Sequence, residues 1–505
     1  MERAEGIFNR AAYTALTWTA RGVGRVPPLR HALVSAVERR LRRSAATPDV
    51  RNPPAVSADK LAMGLALLRV ADRALADDML GSASFRGLLD RLVYDVLVRK
   101  GDHKAKQRFR AAHGCNPPSF LTISPGKTCN LHCVGCYANS GPTPEKLEWP
   151  TFDRVVSEAR DLWGARFFVI SGGEPFAYRD GGQGVLDLAR RHPDCFFILY
   201  TNGTLISDGV ARQLGELGNL SPSLSLEGLR KRTDARRGPG VFDKVLAAME
   251  RLRREKVFFG VSLTATRDNA EEIFSDEAVD LFFDKMGALY AWVFHYMPIG
   301  RAPSLDLMMT PAQRVRLHER IWHLVRERRI FIADFWNSGT ATNGCIAGGR
   351  PGGYFYVNWN GDVCPCVFVP YSPVNMKDVY ARGGTLEDVW SEPLFGAFRD
   401  WQRGYGYREN GQPYGGNGNW LMPCPIRDHH REFRAMLSRH PAKPTDADAR
   451  AALEDPAYAA GLADFDQHLA ELTDPVWRER YQPGPGGKEK PQADAKPRPV
   501  PVTAD

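Results

Sequence analysis

Cysteine and long apolar runs are both scarce in this sequence, and each scarcity excludes a class of protein. Nine cysteines occur in 505 residues, which is too few for the disulfide scaffold of a secreted domain. No run of about 18 uncharged apolar residues occurs, so we expect no membrane-spanning helix. The N-terminal residues lack the order of a signal peptide, so we expect a cytoplasmic protein. The net charge of +8 is modest for this length and favours anionic partners only weakly.

The first 114 residues show helical periodicity. Residues 58–80 and 85–100 place apolar side chains at three- and four-residue spacing, as amphipathic helices do. Ahead of them, residues 8–43 mix apolar and aromatic side chains with many arginines. A basic amphipathic segment of this kind can lie on an anionic membrane surface, and the alternative is a helix packed on its own domain. We therefore keep a peripheral membrane contact as one interpretation of the N-terminus.

From about residue 119 the pattern changes to short apolar runs that alternate with amphipathic helical stretches. Apolar strands separated by helices indicate parallel β/α units that are buried on both faces. Six such units predict an α/β fold with an incomplete (β/α)6 barrel of the TIM type. Each run ends in polar or glycine-rich residues, which is where parallel β/α enzymes place their sites. The six runs are residues 119–124, 167–173, 195–203, 220–228, 257–266 and 291–300.

After about residue 335 the alternation stops. Residues 353–370 predict a hairpin that turns at Asn360 and Gly361, with cysteines beside the turn. The last residues form a tract rich in proline, glycine and charge that buries too little surface to order itself. The predicted divisions are a helical region (1–114), a partial barrel (115–335), a small cysteine-rich extension (336–440), a helical segment (441–482) and a disordered tail (483–505).

Three of the cysteines lie on one short stretch. Cys129, Cys133 and Cys136 are four and then three residues apart, and soft sulfur ligands of this kind select zinc or iron–sulfur clusters. A structural zinc site needs a fourth ligand; His132 is the nearest candidate, but it immediately precedes Cys133. With three cysteines, a [4Fe–4S] cube keeps one iron without a protein ligand. Such an open position is typical of catalytic metal sites rather than structural ones.

Further motifs stand at the ends of the later strands. The C-x3-C-x2-C spacing, with an aromatic residue next, resembles the cluster loop of the radical S-adenosylmethionine (radical SAM) superfamily. The sequences GGEP from residue 172, TNGT from 201, SLSLEG from 223 and DARRGPG from 234 resemble segments that build this family's cofactor site. The resemblance implies cofactor contacts at Tyr137, Gly172, Gly173, Glu174, Thr201, Asn202, Ser225, Glu227 and Arg237.

The same resemblance implies a chemistry. The open iron is expected to bind S-adenosylmethionine. One electron from the reduced cluster then cleaves it to methionine and a 5′-deoxyadenosyl radical, which abstracts hydrogen from an unactivated carbon. A reductant such as flavodoxin or ferredoxin is expected to supply the electron. The alternatives are a non-catalytic iron–sulfur electron carrier and a zinc-binding interaction protein. An electron carrier has no need of motifs that bind S-adenosylmethionine.

A second group of cysteines follows the barrel region: Cys345, Cys364, Cys366 and Cys424. Its beginning resembles the SPASM extension of radical SAM enzymes, which carries seven or more cysteines and two auxiliary clusters. Because four cysteines remain here, the resemblance implies a shortened version that holds one auxiliary [4Fe–4S] cluster. The alternatives are a zinc site and buried thiols. Cys364 fits the cluster least well, because a single residue separates it from Cys366.

The substrate is the least determined part of the prediction. Peptide or protein modification is the commonest task of relatives that carry the SPASM extension. An apolar or lipid-like substrate is the second hypothesis, prompted by the basic N-terminus and by the aromatic loop at residues 403–422. We do not expect a nucleic-acid partner, because basic and aromatic residues are not concentrated in one tract.

Overall fold

The computed structural model describes residues 26–47, 49–98, 102–409, 412–416 and 418–482. Residues 8–25 of the basic N-terminal segment and the predicted tail, 483–505, lie outside the described residues. Within the described ranges, no helix combines the length and the apolar character that crossing a bilayer requires.

Helices fill the described residues ahead of the first strand. Apolar side chains of the second helix and of a π-helical segment, Gly87–Val98, pack at the amino ends of the strands against Phe196 and Phe258. The last helix of the region begins at a cap, because the Asp102 carboxylate accepts the Lys104 backbone N–H at 2.8 Å. The four helices are α1 (Pro27–Ala46), α2 (Pro54–Ala76), α3 (Ser82–Arg86) and α4 (His103–His113).

The remaining described residues contain twelve strands, and ten of them form a single sheet. The strands are β1 (Phe120–Ile123), β2 (Phe167–Ile170), β3 (Phe196–Thr201), β4 (Leu220–Leu226), β5 (Gly260–Ala265), β6 (Ala291–His295), β7 (Ile332–Asp334), β8 (Tyr354–Val357), β9 (Asp362–Cys364), β10 (Tyr371–Ser372), β11 (Val374–Asn375) and β12 (Lys443–Pro444). Their order in the large sheet is β11-β9-β8-β1-β2-β3-β4-β5-β6-β7. Strands β8 and β1 to β7 run parallel, and the two ends of the sheet do not pair, so the barrel is incomplete.

Helices alternate with the strands of the barrel, and further helices fill the C-terminal part of the described residues. Their apolar residues recur at three- and four-residue spacing; in the helix after β4, Val245, Met249 and Leu252 are buried in this way. The helices are α5 (Trp149–Trp163), α6 (Val185–Arg191), α7 (Asp208–Leu217), α8 (Arg230–Arg237), α9 (Val241–Arg254), α10 (Asp276–Val279), α11 (Pro311–His323), α12 (Gly339–Thr342), α13 (Met376–Ala381), α14 (Leu386–Trp390), α15 (Pro393–Gly404), α16 (His430–Arg439), α17 (Ala447–Glu454) and α18 (Pro456–Arg480).

The two faces of the sheet differ in composition. Pairing register places Leu121, Phe168 and Phe197 side by side on the outer face, where they join the main hydrophobic core with the helices. The residues between them in sequence therefore point to the concave inner face, because successive side chains of a strand alternate. The inner face is the interior of the incomplete barrel.

All six predicted strands are present, and the incomplete α/β barrel is confirmed. The predicted hairpin is also confirmed, since β8 and β9 pair antiparallel around a turn in which the Gly361 N–H donates to the Asn358 carbonyl at 3.0 Å. Two features go beyond the prediction. A short seventh strand, β7, follows β6, and β8 joins the barrel sheet by pairing parallel with β1. The sheet thus continues across the division predicted at residue 336.

Candidate functional site

The three-cysteine stretch forms a loop at the carboxyl end of β1. All three thiols are half-buried, so they are reachable from solvent. Burial raises the pKa of the Cys129 thiol to about 11. Its sulfur accepts the Leu131 backbone N–H at 3.4 Å. At neutral pH a metal must displace the Cys129 proton on binding, because only thiolate ligates.

Two segments distant in sequence fix the backbone of this cluster loop. The Arg301 guanidinium donates to the carbonyl of Cys133 at 2.8 Å and to the carbonyl of Ser140, and its backbone N–H donates to the Cys136 carbonyl at 3.0 Å. The Val134 N–H donates to the carbonyl of Arg236, at the end of α8, at 2.9 Å. These bonds engage main-chain groups and leave the sulfurs free to ligate. Sequence reasoning missed both arginines; an Arg directly after the glycine that follows β6 was the available signal.

Gly135 lies at the centre of the loop, where both the backbone conformation and the lack of space for a side chain require glycine. Its φ is +61°, and a Cβ atom there would lie 2.5 Å from the Tyr296 ring. Positive φ is accessible to glycine without strain. The loop therefore folds tightly over Tyr296, at the end of β6.

The glycine turn after β2 packs directly on the cluster loop. The Glu174 N–H donates to the Thr128 carbonyl at 2.8 Å, and a Cβ on Gly173 would collide with that carbonyl. Tyr137 joins the same turn from the other end of the loop. Its hydroxyl lies 2.6 Å from the Ser171 hydroxyl and accepts the Gly172 N–H at 3.2 Å. The structure thus brings together the cysteine loop, Tyr137 and both glycines, as predicted.

Glu174 is buried, and its carboxylate accepts hydrogen bonds from other residues of the protein. Its carboxylate accepts the Thr201 hydroxyl at 2.8 Å and the Asn202 backbone N–H at 2.8 Å, which ties the end of β3 to the end of β2. Burial raises its pKa to about 6. Asn202 reaches the loop as well, because its side-chain amide lies 3.8 Å from the Cys129 sulfur and 2.9 Å from the Asn130 side-chain oxygen.

Glu227 follows β4 and is fully buried. One carboxylate oxygen accepts Arg236 at 2.6 Å and Arg237 at 2.8 Å, whereas the other oxygen is buried without a partner. Burial alone lowers the pKa of Arg237, but the charges of Glu227 and Cys133 outweigh it and the pKa is raised. Glu227 and Arg237, both predicted site residues, therefore pair directly with each other, and Arg236 is a third member that the sequence prediction did not include. Ser225 lies two residues earlier on the inner face and is nearly buried.

The inner face of the barrel is uncharged along β1 to β6 and β8, where no Asp, Glu, Lys, Arg or His stands at an inward position. On β9, Asp362 shares the face of Cys364 and is an acidic residue at an inward position. Aromatic rings form one part of this wall, with Tyr200 and Phe294 centred 5.1 Å apart. Hydroxyl groups form another part, and the sequence prediction included only Ser225 among them. The hydroxyl residues of the two adjacent strands are Ser221, Ser223, Ser225, Ser262 and Thr264.

Three of the second four cysteines meet in a separate apolar core. Cys366 and Cys424 are buried within it, and Cys345 packs against its edge. Burial raises the pKa of Cys366 to about 12, and the negative charge of Cys345 acts in the same direction. Burial also raises the pKa of Cys424, with contributions from Cys345 and Cys366. All three cysteines thus pack in the same apolar core.

Cys364 lies apart from this trio. It closes β9 opposite Tyr356 and is not a member of the apolar core that holds the other three; burial raises its pKa, with contributions from Asp362 and Cys366. Its place in the register puts it with the inward-facing residues of the barrel rather than in the second core. Cys366 lies two residues beyond the end of β9, so the alternation of the strand does not fix its direction.

A buried charged network joins the end of the barrel to the second cysteine group. His295 and Asp334, at the ends of β6 and β7, are 2.9 Å apart, and Arg427 donates to the other ring nitrogen of His295 at 2.9 Å. Burial lowers the pKa of His295 to about 4, so the ring is neutral and donates to Asp334. Asp428 pairs with Arg427 and accepts the Cys424 backbone N–H at 3.2 Å.

Neither cysteine group is built around a single ion. Across the described part of the chain, no three Cys, His, Asp or Glu side chains are placed to hold one metal ion. The ligands of an iron–sulfur cube bind different irons and need no common point. Three soft donors on an accessible loop suit such a cube, and the unpartnered Glu227 oxygen and the hydroxyl-bearing wall beside the loop suit a polar cofactor. The donors present fit both groups.

Comparison with known proteins agrees with this geometry. The radical SAM superfamily model matches residues 123–273, and the SPASM model, described as an iron–sulfur cluster-binding domain, matches residues 345–411. An AdoMet-dependent heme synthase of Methanosarcina barkeri is 27% identical over 56% of this chain and 86% of its own length. Mycofactocin maturase MftC of Mycobacterium ulcerans is 29% identical over 57% of this chain and 79% of its own.

Among solved structures, SuiB of Streptococcus suis bound to its precursor peptide SuiA is 20% identical, with a TM-score of 0.48 over 59% of this chain and 70% of that one. The first family match covers all three cysteines of the loop, and the second covers three of the second four, with Cys424 beyond its end. This chain contains a radical SAM domain and a SPASM domain, and it is an enzyme whose cofactors are a [4Fe–4S] cluster, S-adenosylmethionine and auxiliary iron–sulfur.

Proposed function

We propose that this radical SAM enzyme modifies an apolar side chain of a peptide or protein inside the uncharged barrel. The observation that carries the proposal is the inner face of β1 to β6 and β8, whose inward side chains are aromatic, aliphatic or hydroxyl-bearing; the cluster loop follows β1 at its carboxyl end. An uncharged wall leaves a charged substrate group without a partner, at a high desolvation cost. Relatives whose names mark them as maturases support a peptide substrate.

The chain's own residues divide the work around the cofactors. We assign Cys129, Cys133 and Cys136 to the cluster, and the Gly172–Gly173 backbone, Ser225, Glu227 and Arg237 to S-adenosylmethionine. Thr201, Asn202 and Glu174 hold this arrangement together, and Tyr137 fixes the glycine turn. When bound, the cofactors supply a carbon-centred radical that abstracts hydrogen from an unactivated carbon. The walls position the substrate and exclude water, which protects that reactive group.

Hydrogen transfer tests the substrate class. The enzyme is incubated anaerobically with S-adenosylmethionine, dithionite and synthetic peptides that each carry deuterated Val, Leu, Phe or Tyr. We expect the mass of 5′-deoxyadenosine to rise when one of these residues is labelled. Transfer from labelled phospholipid or another apolar molecule, with none from any peptide, would replace the peptide proposal by the apolar one.

The role of Glu227 is tested by binding. Glu227→Gln removes the charge that pairs with Arg236 and Arg237, so we expect affinity for S-adenosylmethionine to fall about tenfold, the scale of a charge-assisted hydrogen bond. Equilibrium dialysis with the labelled cofactor measures it. Glu271→Gln, which changes an exposed pair with Arg316, is the matched control. Equal affinity of Glu227→Gln and the wild type would remove Glu227 from the cofactor site.

We further propose that the SPASM domain holds one auxiliary cluster, ligated by Cys345, Cys366 and Cys424. The apolar core that these three cysteines share supports the assignment, and Cys364 is a candidate ligand of lower rank because it lies apart. Iron analysis of anaerobically purified protein should give about eight irons per chain, as two [4Fe–4S] clusters require. A value of about four would remove the auxiliary cluster.

We also propose that α1 rests on an anionic membrane surface. Leu29, Leu33 and Val37 are exposed by 49%, 40% and 37% along one side of the helix, and none of its residues is buried. Exposed arginines follow at its carboxyl end: Arg39, Arg40, Arg42 and Arg43. Apolar residues flanked by arginine suit the interface of a bilayer that contains anionic lipid.

Vesicle flotation tests this contact. We expect the enzyme to float with phosphatidylglycerol vesicles at low salt, and a Leu29→Ser, Leu33→Ser variant to remain in the dense fraction. Leu205→Ser, at an exposed site elsewhere, is the matched control. Equal flotation of the wild type and the double variant would contradict the proposal.

We also propose that a flavodoxin or ferredoxin donates the electron and that the chain divides into domains near residues 114, 335 and 440.

A further inference from the structure

The second cysteine group is hydrogen-bonded at sulfur by a side chain from the barrel sheet. The Tyr354 hydroxyl lies 3.0 Å from the Cys366 sulfur, and both residues are buried. Tyr354 begins β8, and its ring is held on two sides. It stacks on Phe120 at 5.0 Å with an interplanar angle of 12°, and it meets the Phe335 ring edge-on at 6.0 Å. Packing thus fixes the direction of the hydroxyl.

Main-chain groups also donate hydrogen bonds to the sulfurs of Cys366 and Cys345. The Phe368 backbone N–H reaches the Cys366 sulfur at 3.5 Å, and the Ala347 N–H reaches the Cys345 sulfur at 3.5 Å. A substitution leaves main-chain donors in place, whereas Tyr354→Phe removes a side-chain donor to the Cys366 sulfur. When Cys366 is a thiolate ligand, its sulfur has no proton, and the hydroxyl must be the donor.

We propose that Tyr354 is a positioning residue that raises the reduction potential of the auxiliary cluster by donating a hydrogen bond to Cys366. The inference rests on the proposed auxiliary cluster. Reduction adds negative charge to a cluster and its sulfur ligands, so a donor at sulfur stabilises the reduced form more than the oxidised form. Hydrogen bonds to the sulfurs are among the factors that set the potentials of these clusters.

The experiment is an EPR-monitored redox titration of the iron-loaded enzyme and its Tyr354→Phe variant. The variant keeps the ring and its stack on Phe120 and loses the hydroxyl. We expect a lower midpoint potential for the auxiliary signal, with about a tenfold fall in the ratio of reduced to oxidised cluster at the wild-type midpoint, or about 59 mV for one electron. The signal of the cluster on the Cys129 loop should keep its midpoint.

Tyr356→Phe is the matched control, because Tyr356 lies on the same strand and its buried hydroxyl has no hydrogen-bond partner in the described residues. Its auxiliary midpoint should equal that of the wild type. An unchanged midpoint in Tyr354→Phe, with iron content intact, overturns the inference and leaves the proposed function standing. Loss of about four irons in Tyr354→Phe also overturns it, since the hydroxyl then serves assembly. Wild-type protein with a single cluster refutes the proposed auxiliary cluster instead.

Discussion

The two cysteine groups of this enzyme are held in opposite ways. The first lies on one short loop with half-buried thiols, and the protein grips the main chain of the loop through Arg301 and Arg236. The second is assembled from three separated segments in an aromatic core, and the protein bonds directly to sulfur through Tyr354. Hydrogen bonds to the carbonyls of the loop fix its shape and leave one face of its cluster open for a second ligand. Bonding to sulfur in a buried core sets the electronic properties of the centre that these cysteines hold.

The largest expected effect of this difference concerns cleavage of S-adenosylmethionine. Cys133→Ala removes a ligand of the accessible cluster, so we expect production of 5′-deoxyadenosine to fall to background. Cys366→Ala should keep substrate-free cleavage, because it removes a ligand of the buried group. Anaerobic assays with dithionite, followed by chromatography and mass spectrometry, measure both, and Cys115→Ala, at a half-buried cysteine outside both groups, is the control. Continued production of 5′-deoxyadenosine by Cys133→Ala would contradict the difference between the two cysteine groups.

The next effect distinguishes the members of the second group. We expect Cys366→Ser to lose about four irons per chain and Cys364→Ser to keep its iron, because Cys364 lies apart from the other three thiols. Iron and sulfide analysis after anaerobic purification measures the change. Equal iron loss in both variants would return Cys364 to the ligand set and would require the loop that follows β9 to rearrange on cluster binding.

A smaller effect is expected from removing the hydrogen bonds that hold the main chain of the first loop. Arg301→Ala removes the side-chain bonds to the Cys133 and Ser140 carbonyls, so the loop should release its cluster to a chelator about 10- to 100-fold faster, the scale reported for outer-shell partners of metal sites. Loss of visible absorption in the presence of chelator gives the rate. Arg191→Ala, at an exposed pair with Asp153, should match the wild type. Equal rates for the wild type and Arg301→Ala would show that the cysteines alone hold the loop.

The smallest effect is one of stability near the second group. Burial raises the pKa of Asp466 to about 8, and the charge of Asp428 acts in the same direction against a hydrogen bond from the His430 N–H. The folded state therefore binds the Asp466 proton more tightly than the unfolded state, so this stabilisation is present at low pH and is lost as pH rises towards about 8.

The Asp466→Asn variant lacks this titration. We expect its Tm, relative to that of the wild type, to rise between about pH 5 and pH 8 and then to level off. Differential scanning calorimetry across that range measures the difference. A constant or falling difference would show that Asp466 is ionised throughout.

Much of this arrangement follows from local sequence, and the rest depends on pairing that local sequence does not encode. The six apolar runs, the cysteine spacing and the turn at Gly361 are local patterns, and each is present in the structure. β7 is three residues long and shows no periodicity, so its position beside β6 was not predictable. The parallel pairing of β8 with β1 joins segments more than 200 residues apart in sequence.

The same reason explains which site residues were missed. Glu227 and Arg237 stand in two neighbouring motifs, so both were predictable as site residues from local sequence, whereas their pairing was not predicted. Arg301 reaches a loop that precedes it by more than 150 residues, and Tyr354 appears in sequence as one aromatic residue of an alternating strand. Such residues are identified when the fold brings the distant segments together.

The most direct test of the central claim asks which cysteine group S-adenosylmethionine touches. EPR spectra of reduced Cys366→Ala protein, which keeps the loop cluster, and of reduced Cys133→Ala protein, which keeps the auxiliary cluster, are recorded with and without S-adenosylmethionine. We expect the cofactor to change the spectrum of Cys366→Ala and to leave that of Cys133→Ala unaltered. A change in Cys133→Ala, or none in Cys366→Ala, would contradict the assignment of the open iron to the loop of Cys129, Cys133 and Cys136.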